Sequence, residues 1–260
     1  MGEENKILLR NEFDGIYKLT LNRPRAHNAL SYDLLLEISN ALNTIKKNKR
    51  IKVLIIDANG PSFCSGHDLK EINSKNDKES YKKLFSLCSS VMLSIIKLDI
   101  PVIASVHSTA TAAGCQLVAT CDLAIASDKA RFATPGVNIG LFCSTPMVAL
   151  SRNISKKHSM EMLLTGDLID ALTAKEYGLI NKVVPYRDLN DTVLEIAKKI
   201  LKKSSKTIAT GKKAFYEQLE LGVSEAYKFT SEIMTDNMTE YNAQEGVDAF
   251  LQKRPPVWKD

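Results

Sequence analysis

The 260-residue chain is poor in the residues from which several kinds of site are built. It has one tryptophan, four histidines and five cysteines, and no two cysteines are spaced as CxxC. The odd set Cys64, Cys88, Cys115, Cys121 and Cys143 gives no disulfide framework. With so few histidines, no structural zinc or other metal site is expected. A reducing compartment suits such thiols. No stretch has the make-up of a membrane span. The two longest uncharged runs, 100–121 and 132–151, are broken by Ser108, Thr109, Thr111, Gln116, Pro135, Asn138 and Pro146. The first ten residues, MGEENKILLR, have no apolar signal core and no Arg/Ser-rich amphipathic stretch. These absences indicate a soluble intracellular protein, cytoplasmic, or of the mitochondrial matrix where a transit peptide has been removed.

What is present is an ordinary globular balance, 44% hydrophobic and 25% charged, with a net charge of 35 − 30 = +5. The lysines gather at 46–52, 156–157, 198–206 and 212–213. Such runs read as solvated helix faces, with an anionic small ligand or nucleic acid as the sharper alternatives. No aromatic residues interleave with them and arginine is scarce, so nucleic-acid reading is not expected.

Periodicity supplies the architecture. Residues 16–22 alternate like a strand and stop at Pro24. Ser31 then caps a helix whose apolar positions Leu34, Leu35, Ile38, Ala41, Leu42 and Ile45 follow helical spacing. Buried-type strands are expected at 53–56, 102–106 and 123–126, separated by helices near 68, at 80–98 and at 116–120. That order argues for an α/β fold with both sheet faces covered. The run Thr173-Ala174-Lys175-Glu176 reads as a capping box, with Gly178 as its C-cap. From about residue 188 the chain is almost wholly helical, with candidates at 189–201, 205–219, 224–238 and 244–251. This shift divides the chain into a core, 1–190, and a C-terminal helical module, 191–260.

One local pattern occurs twice. Val53-Leu54-Ile55-Ile56 leads to Phe63-Cys64-Ser65-Gly66-His67-Asp68 and a helix; Val102-Ile103-Ala104-Ser105-Val106 leads to Thr111-Ala112-Ala113-Gly114-Cys115-Gln116 and another. Each places small residues between a strand's carboxyl end and a helix start, where the first N–H groups have no intrahelical partner. Two such sites facing one cleft would form an oxyanion hole. Gly66 and Gly114, lacking Cβ, would let a ligand approach the backbone closely, with close helix–sheet packing as the alternative reason for small residues there.

The stretches Leu21-Asn22-Arg23-Pro24 with Asn28-Ala29-Leu30, Phe63-Cys64-Ser65-Gly66-His67-Asp68-Leu69-Lys70-Glu71, Pro101-Val102-Ile103-Ala104, Ala113-Gly114-Cys115-Gln116-Leu117, Cys121-Asp122, Leu164-Thr165-Gly166 and Phe250-Leu251-Gln252-Lys253-Arg254 together resemble the crotonase (enoyl-CoA hydratase/isomerase) superfamily along nearly the whole chain. The resemblance implies a spiral of ββα turns with a C-terminal helical module for assembly into a homotrimer or a dimer of trimers. It implies an oxyanion hole made by the backbone N–H groups of His67 and Ala113, acting on an acyl-CoA thioester, with coenzyme A part of the substrate and no separate cofactor. Ser65, Gly66, Asp68, Gly114 and Asn138 would line the substrate site. Arg25, Ala26 and His27 would lie by the adenine end of CoA, and Phe250 and Lys253 of a neighbouring subunit would meet the nucleotide and its phosphate.

The match breaks where proton transfer should occur. The hydratase pattern has two glutamates, and those positions read Gln116 and Gly136 here. An amide orients water without accepting its proton, and glycine offers no side chain. Ser144 lies near where related dehalogenase-type members carry an aspartate nucleophile, but serine needs a base. Asp68 reads first as an N-cap. The expected function is therefore an acyl-CoA-processing lyase or isomerase with altered proton-transfer groups. The alternatives are a non-catalytic acyl-CoA binder and, at the margin, an RNA-binding relative. Restoring both carboxylates, Gln116→Glu with Gly136→Glu, is expected to create hydratase activity where the pocket geometry is retained.

Overall fold

The computed structural model describes residues 6–259, and the chain's first five residues, part of the N-terminal stretch read above, lie outside them. Asp14 and Gly15, both at positive φ, turn strand β1 (Leu8–Phe13) into antiparallel β2 (Ile16–Leu21). Helix α1 (Tyr32–Lys47) follows, its N-cap Ser31 accepting from the Leu34 N–H. Its buried residues are the six apolar positions picked out by spacing.

Three successive passes of the chain then each give one strand to a large sheet and a second, three-residue strand to a small one. The first pass is β3 (Val53–Ala58) and β4 (Ser62–Cys64), closed by α2 (Leu69–Lys75) and α3 (Lys78–Ile96). The second is β5 (Val102–Val106) and β6 (Thr109–Thr111), closed by α4 (Ala113–Thr120). The third is β7 (Leu123–Ser127) and β8 (Arg131–Ala133), followed by a 3-10 turn (Pro135–Ile139), α5 (Pro146–Asn153) and α6 (Lys156–Thr165). Short β9 (Ile169–Asp170), α7 (Ala171–Tyr177) and β10 (Lys182–Val184) complete both sheets. The orders are β1-β2-β3-β5-β7-β10, parallel from β2 onward, and β4-β6-β8-β9, parallel over its first three strands. This is the ββα spiral that the resemblance implied.

The large sheet is covered on both faces, which explains strands such as β5 with all five residues buried rather than alternating. One face packs against α1 and α3. On the other, Ile16, Val53, Ile55, Ile103 and Ile125 meet Leu189, Val193 and Ala197 of α8 (Leu189–Leu201). Core packing thus continues through α8. Beyond it lie α9 (Ser205–Gln218), α10 (Val223–Thr239) and α11 (Tyr241–Leu251).

Two local readings are corrected. Helix α7 is capped by Asp170, whose Oδ1 accepts from the Thr173 N–H at 2.8 Å, so the capping box read at Thr173 is displaced by one turn. Its C-cap is Gly178, at φ +88°. The basic run at 212–213 is not wholly a solvated face. Lys212 is buried, donating to the carbonyls of Ile95 (3.1 Å) and Ile100 (2.9 Å) and pairing with Asp122 Oδ2 at 2.6 Å. Asp122 also accepts from Tyr216 Oη and from the Val102 N–H. This buried cluster ties α9 to the end of α3 and the start of β5.

Candidate functional site: two unpaired amides at adjoining loops

Asn28 anchors the loop between β2 and α1. Fully buried and at φ +54°, it accepts from the Arg23 N–H at 2.7 Å and donates to the carbonyls of Asn59 (2.7 Å) and Ser62 (2.8 Å). The loop is thereby stitched to β4. Beyond β4 the stitching continues: the Leu30 N–H donates to the Gly66 carbonyl at 2.7 Å, and the Asp68 N–H to the Leu30 carbonyl at 3.3 Å. Successive N–H groups in extended chain point to opposite sides. With Asp68 directed at Leu30, the His67 N–H faces away from it.

On that opposite side lies the second loop. A Cβ built at Gly66 (φ +94°) would stand 2.8 Å from Ala112 Cβ and 3.3 Å from Ala113 N. One at Gly114 would stand 2.2 Å from the Cys64 carbonyl oxygen. The close approach that these glycines permit is therefore between the two loops themselves. Ala112 takes φ +49°, ψ −119°, a region that crowds its Cβ and costs about 1–3 kcal/mol. Its N–H donates to the Ala133 carbonyl at 2.9 Å, extending the β6–β8 ladder. The strained turn swings the next peptide out of that ladder at the start of α4. Among the described residues, neither the His67 N–H nor the Ala113 N–H has an acceptor. Both donors are held by rigid backbone and are not consumed by the protein.

Around these amides are polar side chains that also lack partners. Both ring nitrogens of His67 are buried without a hydrogen bond, and its ring meets Phe85 edge-on at 5.2 Å. Burial holds the imidazole below its ordinary pKa, partly opposed by the Leu30 carbonyl and the Glu71 carboxylate. The shift favours the neutral ring. Gln116, buried in α4 one turn beyond Ala113, has an orphaned Oε1. Such groups invite a ligand or a water.

Gly136, where the resemblance would have a glutamate, has no room for a side chain. A Cβ there would lie 2.0 Å from the Leu141 carbonyl oxygen and 2.9 Å from Cys143 Sγ. The segment 137–143 folds back over Gly136, with the Leu141 N–H donating to the Gly136 carbonyl at 2.9 Å. Backbone occupies the space a side chain would take. The expectation that Gly136→Glu restores an otherwise retained pocket is corrected accordingly.

The remaining candidates sort by their contacts. Asp68 is engaged on both oxygens, accepting from the Lys70 and Glu71 N–H groups at the start of α2 and pairing with Arg23 at 2.8 Å. Its partial burial opposes ionisation, but the Arg23 guanidinium and the two amides outweigh it and lower its pKa. It is the N-cap of α2 and has no spare oxygen for catalysis. Ser144 is exposed, and among the described residues its only side-chain bond is a long one, 3.4 Å, to the Phe142 carbonyl. No base reaches it among the described residues, so it is not an activated nucleophile. Asn138 and Ser65 are exposed. His27 binds Ser62 Oγ at 2.9 Å, and Arg25 and Ala26 sit with it in a surface turn. Phe250 (82% exposed) and Lys253 lie at the far end of α11. All five cysteines are buried and free, and burial pushes the thiols of Cys64, Cys88 and Cys115 up to about 12. Spacing did not reveal the orphaned His67 ring, the strained Ala112 or the filled space at Gly136.

Comparison with known proteins places the chain in a family. The family model for enoyl-CoA hydratase/isomerase matches residues 11–260. The mitochondrial enoyl-CoA hydratase domain-containing protein 3 of Rattus norvegicus is 47% identical over 255 residues, covering 98% of this chain and 85% of the relative. The crystal structure of human enoyl coenzyme A hydratase domain-containing protein 3 superposes with a TM-score of 0.94 at 46% identity, over 97% of this chain and 100% of that one. That of an enoyl-CoA hydratase from Mycobacterium smegmatis gives 0.96 at 47% identity, over 98% and 99%. A family model spanning all but the first ten residues leaves one conclusion: the chain belongs to the enoyl-CoA hydratase/isomerase (crotonase) family.

Proposed function

We propose that the chain binds an acyl-CoA thioester whose carbonyl oxygen accepts from the His67 and Ala113 N–H groups. The observation that carries this is the pair of unpaired amides on two loops locked together through Gly66 and Gly114. Donors fixed by backbone need no reorganisation as negative charge develops on the oxygen, and such a donor is typically worth about 3 kcal/mol in a transition state. The reaction class is that of an enoyl-CoA hydratase or isomerase, with enolate stabilisation as its main device. Gln116 would orient rather than deprotonate a water. CoA is part of the substrate. Its adenine end would rest by Arg25, Ala26 and His27, and Phe250 and Lys253 would be supplied by another copy of the chain. The exposure of Tyr227 and Met234 on α10 and Phe250 on α11 supports assembly through that end, as a trimer or a dimer of trimers. The mitochondrial names of the relatives favour the matrix.

One observation favours a second reading, a non-catalytic acyl-CoA binder: the Leu141 carbonyl fills the space beside Gly136, one of the two positions where the resemblance would have a glutamate. The readings separate by titration and turnover. Butyryl-CoA should bind saturably. Its S-butyl thioether analogue, which has no carbonyl, should bind about 5- to 150-fold more weakly, from two hydrogen bonds of roughly 0.5–1.5 kcal/mol each. Crotonyl-CoA turnover, followed by loss of conjugated-thioester absorbance, identifies the enzyme; binding without turnover identifies the binder. No affinity for any CoA ester overturns both.

A further inference from the structure

The residue that offers one of the two amides also carries an imidazole that the protein leaves without a hydrogen bond. Both nitrogens are shielded from solvent and neither makes a hydrogen bond among the described residues, the Leu30 carbonyl acting on the ring without meeting hydrogen-bond geometry. The ring is held edge-on to Phe85, which also lines an open 480 Å³ groove along α3 with Ser86 and Ser89. Across the loop junction, Gln116 Oε1 is buried and equally unpartnered. A site composed only for an alkyl chain gains nothing from burying an imidazole and an amide oxygen unpaired. Apolar side chains of similar size would pack there without that penalty.

We propose that the His67 side chain is a specificity-determining contact to the acyl group, selecting thioesters whose acyl chain carries an oxygen function over plain alkyl thioesters. The inference rests on the thioester reading above. The neutral imidazole has one N–H donor and one acceptor nitrogen, and a hydroxyl can satisfy either, so an oxygenated chain suits both tautomers. Gln116 Oε1 adds an acceptor on the other loop. An alkyl chain leaves all of these groups unpaired, and sites built to hydrogen-bond a substrate discriminate strongly against analogues lacking the polar atom.

The test compares 3-hydroxybutyryl-CoA with butyryl-CoA by calorimetric titration of the wild type, His67→Leu and His67→Gln. The wild type should prefer the hydroxyl ester by about tenfold or more. His67→Leu should bring the ratio close to one, and His67→Gln, which keeps a donor and an acceptor, should retain part of the preference. A ratio near one in the wild type, or a preference that survives in His67→Leu, overturns the proposal. A second readout needs no variant: in protein labelled with 15N-histidine, the His67 ring nitrogens should shift with 3-hydroxybutyryl-CoA and not with butyryl-CoA. Equal shifts with both esters, or none with either, count against the contact. Failure of the parent reading looks different, since neither ester would then bind at all.

Discussion

Replacing Gly136 with alanine probes whether segment 137–143 fills the space beside it. The new Cβ would lie 2.0 Å from the Leu141 carbonyl oxygen and 2.9 Å from Cys143 Sγ. Ordinary contact needs more than 3 Å, so backbone must move by about 1 Å or more, and no side-chain rotation relieves it. Overpacking of this kind costs about 1–3 kcal/mol. Displacing Leu141 also loosens its N–H bond to the Gly136 carbonyl, worth about 1 kcal/mol. The expected loss is about 2–4 kcal/mol. Gly140 is the control. It lies in the same segment at φ +73°, with nothing within 4 Å of a built Cβ. Gly140→Ala meets only the left-handed backbone penalty, about 1–2 kcal/mol, partly offset by a stiffer unfolded chain. Urea unfolding followed by circular dichroism, with m unchanged, gives both values. If Gly136→Ala is no more destabilising than Gly140→Ala, segment 137–143 does not fill the space beside Gly136, and the argument that a side chain has no room there fails.

Three further outcomes follow from buried groups. Lys212→Met should destabilise by about 3–5 kcal/mol by leaving Asp122 without its cation. Adding Asp122→Asn should recover part of that loss in a double-mutant cycle. His67 is held below its ordinary pKa of 6.5 by burial, so the unfolded chain binds a proton there that the folded chain does not. Its contribution is therefore present above about pH 6.5 and is lost as pH falls below it, at no more than about 1.4 kcal/mol per pH unit. Unfolding curves between pH 7.5 and 5.5 should show a shallower decline in His67→Leu than in the wild type. The five thiols are buried, and those of Cys64, Cys88 and Cys115 sit at about 12. An aromatic disulfide reagent should label the native protein slowly and release all five only on denaturation.

Much of the frame was legible because local and tertiary demands coincide. In α1 the six apolar positions at helical spacing are the six buried ones, and Ser31 caps where it was read. The all-buried β5 announces itself by β-branched residues directly after Pro101, which keeps the preceding helix from running on into it. Strands β4, β6 and β8 were not legible. Three residues are too few for periodicity, and their pairing joins segments tens of residues apart. At α7, Asp170 and Thr173 are both capping residues one turn apart, and nothing local decides between them. Lys212 was hidden in a basic run because its burial depends on Asp122, ninety residues earlier.

The site divides in the same way. The repeated strand–loop–helix pattern pointed to the two loops, since unpaired donors near a helix start follow from backbone geometry, but only the family resemblance singled out the amides of His67 and Ala113 within them. The conformation of Ala112 was not, because its positive φ is imposed by the β6–β8 ladder and not by its own side chain. The same holds for Gly66 and Gly114, where the letter shows glycine but not which backbone it abuts.

Infrared difference spectroscopy of an acyl-CoA labelled with 13C at the thioester carbonyl reads the two amides most directly. Hydrogen bonds from His67 and Ala113 should move the labelled C=O stretch to lower wavenumber and narrow it on binding. A bound ester whose carbonyl band stays where it lies in water would contradict the assignment of these amides to the thioester oxygen.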